Sequence, residues 1–438
     1  MATSPGTTSM HPHSPATLEQ SGLNSDLVQQ LLLKTLYFAG ELTGTELTKR
    51  LGLSFSVFDT TLEFLKQQRL CEISGGGVFG AASYRYRLSD AGRARTLLVL
   101  EQNQYVGAAP VPLEQYQRYM LEFKQAVPLN ASREHVRRAF SHLVVPDAIV
   151  DAIGPAVNSG HSMFVYGQPG NGKTMLAQGI RDLLVGQIAI PHAVEVGGNI
   201  VKVFDRVKHE ELPFEDETAG LSLGVECDRR WAPCRRPLVM VGGELKMEDL
   251  ALRYNPVSRL YGAPVQMIAN GGVLVIDDFG RQHCSPRDLL NRWIVPLESR
   301  IDFLTLQSGQ SFEVPFMVLL VFATNLKPTE LADEAFLRRI QYKIFAESPN
   351  VNDYVRIFEN YCRTKEIPFE RSVVDYMLEQ YYRPNKIPLR GCQPRDLINQ
   401  ALALANYLGQ PPRLTPELME AACRSYFVQD RELPATYA

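Results

Sequence analysis

The sequence predicts an α/β fold, in which a parallel sheet carries a phosphate-binding loop, a helical region follows it and a small helix-rich unit precedes it. Three observations carry that prediction. The apolar run Met163-Phe164-Val165-Tyr166 leads into Gly167-Gln168-Pro169-Gly170-Asn171-Gly172-Lys173-Thr174, and a helix begins near Lys173. A second apolar run, Val273 to Ile276, ends in Asp277-Asp278. A third, Val318 to Ala323, ends in Thr324-Asn325. Strands apolar on both faces suit a sheet covered by helices on each side, and function gathers at the carboxyl ends of such strands.

The glycine-rich loop is the most specific of these signals. Its glycines reach torsions that aim several backbone N–H groups inward as an anion nest, and the helix that follows adds the positive end of its dipole. Lys173 is placed to reach β- and γ-phosphates, and the Thr174 hydroxyl to hold Mg²⁺. The candidate nucleotide contacts are Gly167, Pro169, Gly170, Asn171, Gly172, Lys173, Thr174 and the adjoining Met175.

With 438 residues the chain has room for two or three domains with proper cores. A net charge of −3 gives no general affinity for nucleic acid or anionic membrane, so any DNA contact must be local. The seven cysteines are scattered and lack CxxC spacing, which reads as reduced, cytosolic thiols. No apolar run reaches the roughly eighteen residues of a membrane span, and the N-terminus has no signal-peptide pattern. A cytoplasmic location without membrane contact is therefore expected.

Residues 1–22, rich in Ser, Thr, Pro and His, are expected to be a disordered tail. Residues 23–104 read as a domain. Helices are predicted over Leu27 to Phe38, Gly44 to Leu51 (capped by Thr43) and Ser56 to Gln68. Strands Leu70 to Ile73 and Tyr84 to Leu88 then flank the Gly75-Gly76-Gly77 loop, and a helix starts at Asp90. This order, with the segment LTGTELTKRLGLSFSVFDTTLEFLKQQRL, resembles a winged-helix domain. The resemblance implies a third helix able to enter a DNA major groove. Residues 24–103, however, hold nine Lys or Arg against eight Asp or Glu, and that third helix offers only Lys66 and Arg69. Protein docking and DNA binding both stay open, with Arg85, Arg87, Arg93 and Arg95 as a local basic cluster.

Residues 105–127 read as a linker ending in a short helix, 128–347 as the nucleotide-binding core and 348–438 as a helical lid. The 104 positions between Lys173 and Asp277 exceed what one crossover needs, so insertions are expected. One is a hairpin, Ala193 to Val196 turning through Gly197-Gly198-Asn199 into Ile200 to Phe204. A second inserted stretch includes Leu238 to Val241. The cluster Arg229, Arg230, Trp231, Arg235, Arg236 reads equally as a partner contact or a solvated loop. Another hairpin, Ile301 to Leu306 with Ser311 to Val314, falls just before the Asn325 strand.

In the core, Asp277 is expected to hold Mg²⁺ through water, and Asp278 to be the water-activating base. Asn325 stands where it could orient that water. Arg338 and Arg339 can stabilise transferring-phosphate charge, in trans if a neighbour supplies them. Arg395 lies at a helix start after Pro394.

Together these residues resemble the AAA+ ATPase superfamily over about residues 128 to 430. The correspondence runs in order through Walker A, Walker B, sensor 1 at Asn325, an arginine finger at Arg338 or Arg339 (Arg339 preferred) and sensor 2 at Arg395. The hairpin before sensor 1 is similar to that of the pre-sensor-1 clade, which holds MoxR-type chaperones and bacterial enhancer-binding ATPases. The resemblance implies ATP and Mg²⁺ as cofactors and a self-assembled ring, usually a hexamer, with sites shared between subunits. Two departures stand out. Most members have Glu where this chain has Asp278, and the GAFTGA loop of enhancer-binding activators is lacking. The leading expectation is a ring ATPase that remodels an unknown protein client. The alternatives are a DNA-associated or helicase-loader-like switch binding duplex through residues 24–104, and a nucleotide-gated scaffold with little turnover.

Overall fold

The computed structural model describes residues 10–76, 80–214 and 227–427; Gly77 and the ends of the tail and lid lie outside them. Five parallel strands form the central sheet in the order Leu238–Val241, Val273–Ile276, Leu319–Thr324, Met163–Tyr166, Tyr342–Phe345. Alternate residues of each strand serve opposite faces. Met163, Val165, Val273, Val275 and Val321 pack under Ile153, Val157, Leu176 and Ile180, from the helices Asp147–Ser159 and Lys173–Asp182. Phe164, Leu274, Ile276, Leu320 and Phe322 meet Leu289 and Trp293 of the helix Pro286–Ser299 on the other side. The Asn325 strand lies between the loop strand and the acidic strand, so three carboxyl-terminal tips stand side by side.

Leu238–Val241, expected within an insertion, is instead the edge strand of this sheet, with Leu238 opposite Val273 and Val241 opposite Ile276. A four-residue apolar run says that it is buried but not which strand it joins.

The inserted chain builds a second sheet, ordered Arg253–Asn255, Leu260–Gly262, Asn199–Lys202, Ala193–Val196, Val111–Pro112. It also forms a ribbon in which Gln187–Pro191 pairs antiparallel with Trp231–Arg235. The expected linker is part of this unit. Val111 pairs with Val194, and the helix Leu113–Ala126 buries Tyr116, Tyr119, Met120 and Phe123 in the same core. The i, i+3, i+4 and i+7 spacing of those four residues is a helical face, and aromatic side chains of that size do not stay in water when a sheet is at hand. The hairpin Ile301–Thr305 with Ser311–Pro315 packs onto this core through Leu304, Phe312 and Val314.

The N-terminal unit runs helix Ser25–Ala39, strand Glu41–Thr43, helices Gly44–Leu51 and Phe55–Gln67, strands Cys71–Gly75 and Arg85–Leu88, then helix Asp90–Gln102. Its antiparallel sheet places Arg85–Leu88 centrally. Thr43 and Glu46 form a reciprocal capping box that fixes the start of the second helix. The tail, expected to be disordered, is docked from Met10 onward. His13 bridges Cys227, Ser54 and Ser56 donate to the Pro15 and Ala16 carbonyls (both 2.8 Å), and Asp228 N–H donates to Pro12 O. Hydrogen bonds to its backbone hold it, together with burial of Pro15 and packing of Met10 and Leu18 against the two neighbouring cores. Helices Val351–Thr364, Arg371–Met377, Gln393–Tyr407 and Pro416–Tyr426 close the C-terminal end around their own core. No helix among the described residues is long and apolar enough to cross a membrane.

Candidate nucleotide site

The loop turns where the sequence places glycine. Gly167, Gly170 and Gly172 have φ of 151°, 81° and 73°, which a side chain disfavours. Gly170 is doubly constrained, because a Cβ there would stand 2.5 Å from Cys392 Sγ. Its carbonyl accepts from Cys392 N–H at 2.8 Å, so the C-terminal helical region is docked directly on the loop. Asn171 Nδ2 extends that contact to Ser348 Oγ at 3.1 Å. Pro169 lies within this turn, whereas Met175 sits on the following helix with 45% of its surface exposed.

Lys173 is buried, and its Nζ donates to Asn325 Oδ1 (2.6 Å), Gln168 O (3.0 Å) and Gly167 O (3.2 Å). Burial lowers its pKa, while the nearby Asp277 and Asp278 act to raise it. Asn325 in turn donates through Nδ2 to Asp278 Oδ1 at 3.1 Å. Thr174 Oγ1 donates to Asp277 Oδ2 at 2.8 Å. Walker A lysine, sensor asparagine and second acidic residue thus form one chain of contacts, and the loop threonine with the first acidic residue forms another. A hydroxyl and a carboxylate oxygen this close are a fitting pair of hard ligands for Mg²⁺, which keeps most of its waters and takes few protein oxygens.

Asp278 has φ of 49°, in the left-handed region that Asp and Asn enter far more readily than other side chains. Gln282 holds the turn in that shape. Its Nε2 donates to the Asp277 and Asp278 carbonyls (3.0 and 3.2 Å), and its Oε1 accepts from Gly280 N–H. Sequence reading missed Gln282, whose only mark is its spacing from the acidic pair.

Other candidates lie apart from this contact chain. Arg395 Nε donates to the adjacent Asp396 at 2.8 Å, and its side chain is 57% exposed. The arginine that meets the loop is Arg390, through Gln168 Oε1 (3.4 Å) and Ser348 Oγ (3.3 Å), and its charge adds to the lowering of the Lys173 pKa. It too went unread, because the turn Ile387 to Cys392 has no periodicity. Arg338 pairs with Glu334 and is 76% exposed; Arg339 pairs with Glu298 at 2.6 Å and is 29% exposed.

The basic, Trp-bearing cluster is not a solvated loop. Arg230 is buried against Asp228 (2.8 Å), the Ser21 carbonyl and Gln115, and Trp231 packs on Tyr119 with ring centroids 4.7 Å apart. Arg236 lies over the Phe123 ring, and burial lowers its pKa to about 10. Arg235 bridges Asp182 and Glu210.

Such a loop at the tip of a parallel strand, facing an acidic strand end, is the arrangement of a P-loop nucleotide-binding fold. The family profile of magnesium chelatase subunit ChlI matches residues 141–212, and that of a domain of unknown function (DUF8689) matches residues 350–425. No curated protein matches the chain in sequence. Among solved structures, NtrX from Brucella abortus in complex with ATP is 14% identical, at TM-score 0.40, over 65% of this chain and 57% of its own. The RuvB Holliday junction branch migration motor of Thermotoga maritima is 13% identical, at TM-score 0.35, over 67% and 68%. Likenesses this loose carry no argument by themselves. The chelatase-family match across the phosphate loop, together with the ordered motifs on this sheet, supports an AAA+ type of P-loop fold.

Proposed function

We propose that the chain binds ATP with Mg²⁺ on its phosphate loop, hydrolyses the ATP in a ring of like subunits, and uses the cycle to remodel a protein partner. The observation that carries this reading is the linked set Lys173–Asn325–Asp278 beside Thr174–Asp277. Phosphoryl transfer asks a protein mainly for positioning and for charge placed where charge develops. The loop N–H groups and Lys173 would hold the phosphates, and Thr174 and Asp277 the metal, which when bound neutralises the phosphate oxygens. Asp278 would take a proton from the attacking water. Asn325, already bonded to Asp278, would fix that carboxylate relative to Lys173. Arg390, at the loop, and Arg395, in the first turn of the helix Gln393–Tyr407, are the cations by which the lid would sense the nucleotide. The greater exposure of Arg338 makes it, rather than Arg339, the better finger for a neighbouring subunit.

The N-terminal unit, with its four helices and three-stranded sheet, is read as a winged helix that docks or regulates the client. Along its third helix and its sheet, charge favours protein over duplex DNA. Arg85 and Arg87 pair with Glu41 and Glu72, and the third helix exposes Asp59, Glu63 and Phe64 while Lys66 is tied to Glu63. Phosphate contacts need free cations.

The test is ATPase rate against protein concentration, with particle mass measured on the same samples. Rate per subunit should rise as rings assemble. Arg338→Ala protein should bind ATP yet fail to turn it over, and mixing it with Asp278→Asn protein should restore activity. No rescue at any ratio would remove the shared site, and turnover that is high and independent of concentration would remove the ring.

A further inference from the structure

We propose a second anion site, distinct from the phosphate loop, that takes a small molecule bearing two or more phosphoryl groups. It is an open cleft of about 760 Å³ between the N-terminal unit and the inserted sheet. Lys49 and Arg50 enter it from the last turn of the helix Gly44–Leu51, Lys202 and Arg206 from the end of the strand Asn199–Lys202 and the turn beyond, and Arg229 from the chain before the ribbon. Among the described residues Asp205 is the only carboxylate in the lining, and its Oδ1 is engaged by Val207 N–H at 2.8 Å within its own turn.

This concentration of positive charge is unusual for the molecule. The chain as a whole carries −3, and most arginines outside the cleft are matched to a carboxylate, as Arg133 is to Asp151 and Arg235 to Asp182. Lys49, Arg50, Lys202 and Arg206 make no side-chain hydrogen bond or ion pair with any described residue. Like charges gathered from two chain segments repel, and the fold gains nothing from leaving them together. An anion between them removes that cost.

The walls are built. Gly52 packs so closely that a Cβ would lie 2.7 Å from the Arg229 backbone, Ala109 N–H donates to Leu51 O at 2.7 Å, and His192 is fixed by backbone bonds to Arg230 and Val203. The volume suits a small ligand rather than a long polymer. Mixed Arg forks and Lys point charges favour phosphoryl oxygens. Because the cleft joins two units, its ligand would tie the N-terminal unit to the ATPase body.

The experiment is isothermal titration of full-length Lys173→Ala protein, in which the phosphate loop is silenced, with pyrophosphate and separately with ADP. One site is expected, weakened about tenfold or more in Lys202→Gln/Arg206→Gln, the equivalent of one charge-assisted hydrogen bond. Lys49→Gln/Arg50→Gln should weaken it comparably. These side chains are exposed, so melting temperature should hold. Should Lys173→Ala unfold, wild-type protein titrated with pyrophosphate should show two sites, of which Lys202→Gln/Arg206→Gln loses one. Equal affinity for pyrophosphate and ADP assigns the cleft to phosphoryl groups alone, and tighter ADP to a nucleoside phosphate; either upholds the proposal. No binding beyond the loop site, or binding indifferent to both double variants, overturns it. Duplex DNA captured through these residues without pyrophosphate binding overturns it in favour of a nucleic-acid interface.

Discussion

Lys173 and Arg230 are both buried cations in segments that the sequence marks as unusual, yet they do opposite things. Arg230 is neutralised at home by Asp228, and its remaining donors are used on Ser21 O and Gln115, so no charge is left to offer. Lys173 donates only to two backbone carbonyls and a neutral amide, with the nearest carboxylates one residue further along the contact chain. The difference teaches that density of charge in a sequence does not define a site. What defines one is a cation whose partners are neutral and can be exchanged for a ligand's oxygens.

That comparison can be broken experimentally, and the largest effect should come at Lys173. Lys173→Ala should lower ATP affinity by about a thousandfold, the loss of two charge-assisted hydrogen bonds, with little change in melting temperature. Retained affinity in a nucleotide titration would remove the site assignment. Asp278→Asn should leave that affinity intact and slow turnover by about a hundredfold or more, as expected for a lost general base. Asp278→Glu should not raise turnover, because the left-handed backbone at 278 accepts Asp more readily than Glu. A faster Glu variant would show that the turn adapts.

On the structural side, Arg230→Ala strands a carboxylate that is 2% exposed and should cost about 3–5 kcal/mol in urea unfolding. Arg235→Ala, whose pairs with Asp182 and Glu210 are half in water, should cost about 1 kcal/mol or less. Comparable losses would mean that the two arginines are not distinguished by burial.

The smallest effect concerns His209, in the same inserted unit. Its Nδ1 accepts from Asp205 N–H at 3.0 Å and its Nε2–H donates to Ile268 O at 2.8 Å, so the ring is neutral, and burial lowers its pKa below the usual 6.5. The unfolded chain therefore binds the proton first. The stabilisation is complete above about pH 6.5 and is lost as pH falls toward the folded pKa, with a slope of at most about 1.4 kcal/mol per pH step of one for a single proton. Melting temperature should drop between pH 7 and 5, and His209→Gln should flatten that slope even if it starts from a lower value. An unchanged slope would shift the acid sensitivity to His192, which burial also holds below its usual pKa.

The sequence by itself determined whatever is local. The phosphate loop needs its glycines and Lys173 within eight consecutive residues, the Thr43/Glu46 capping box spans one helical turn, and the strands before Asp277 and Asn325 announce their burial through unbroken apolar runs. The helix Gly44–Leu51 was legible to the residue for that reason. Tertiary structure decided which buried pieces meet. Leu238–Val241 became a sheet edge through Val273–Ile276, the helix Leu113–Ala126 became core through a sheet formed eighty residues later, and the polar tail's carbonyls found donors in Ser54, Ser56 and Asp228. Arg390 reached Gln168 across 222 residues and brought charge to the loop from a turn with no pattern of its own. Periodicity records that a face is hidden from water, whereas the partner that hides it, and the charge it brings, depend on contacts that no short stretch of sequence contains.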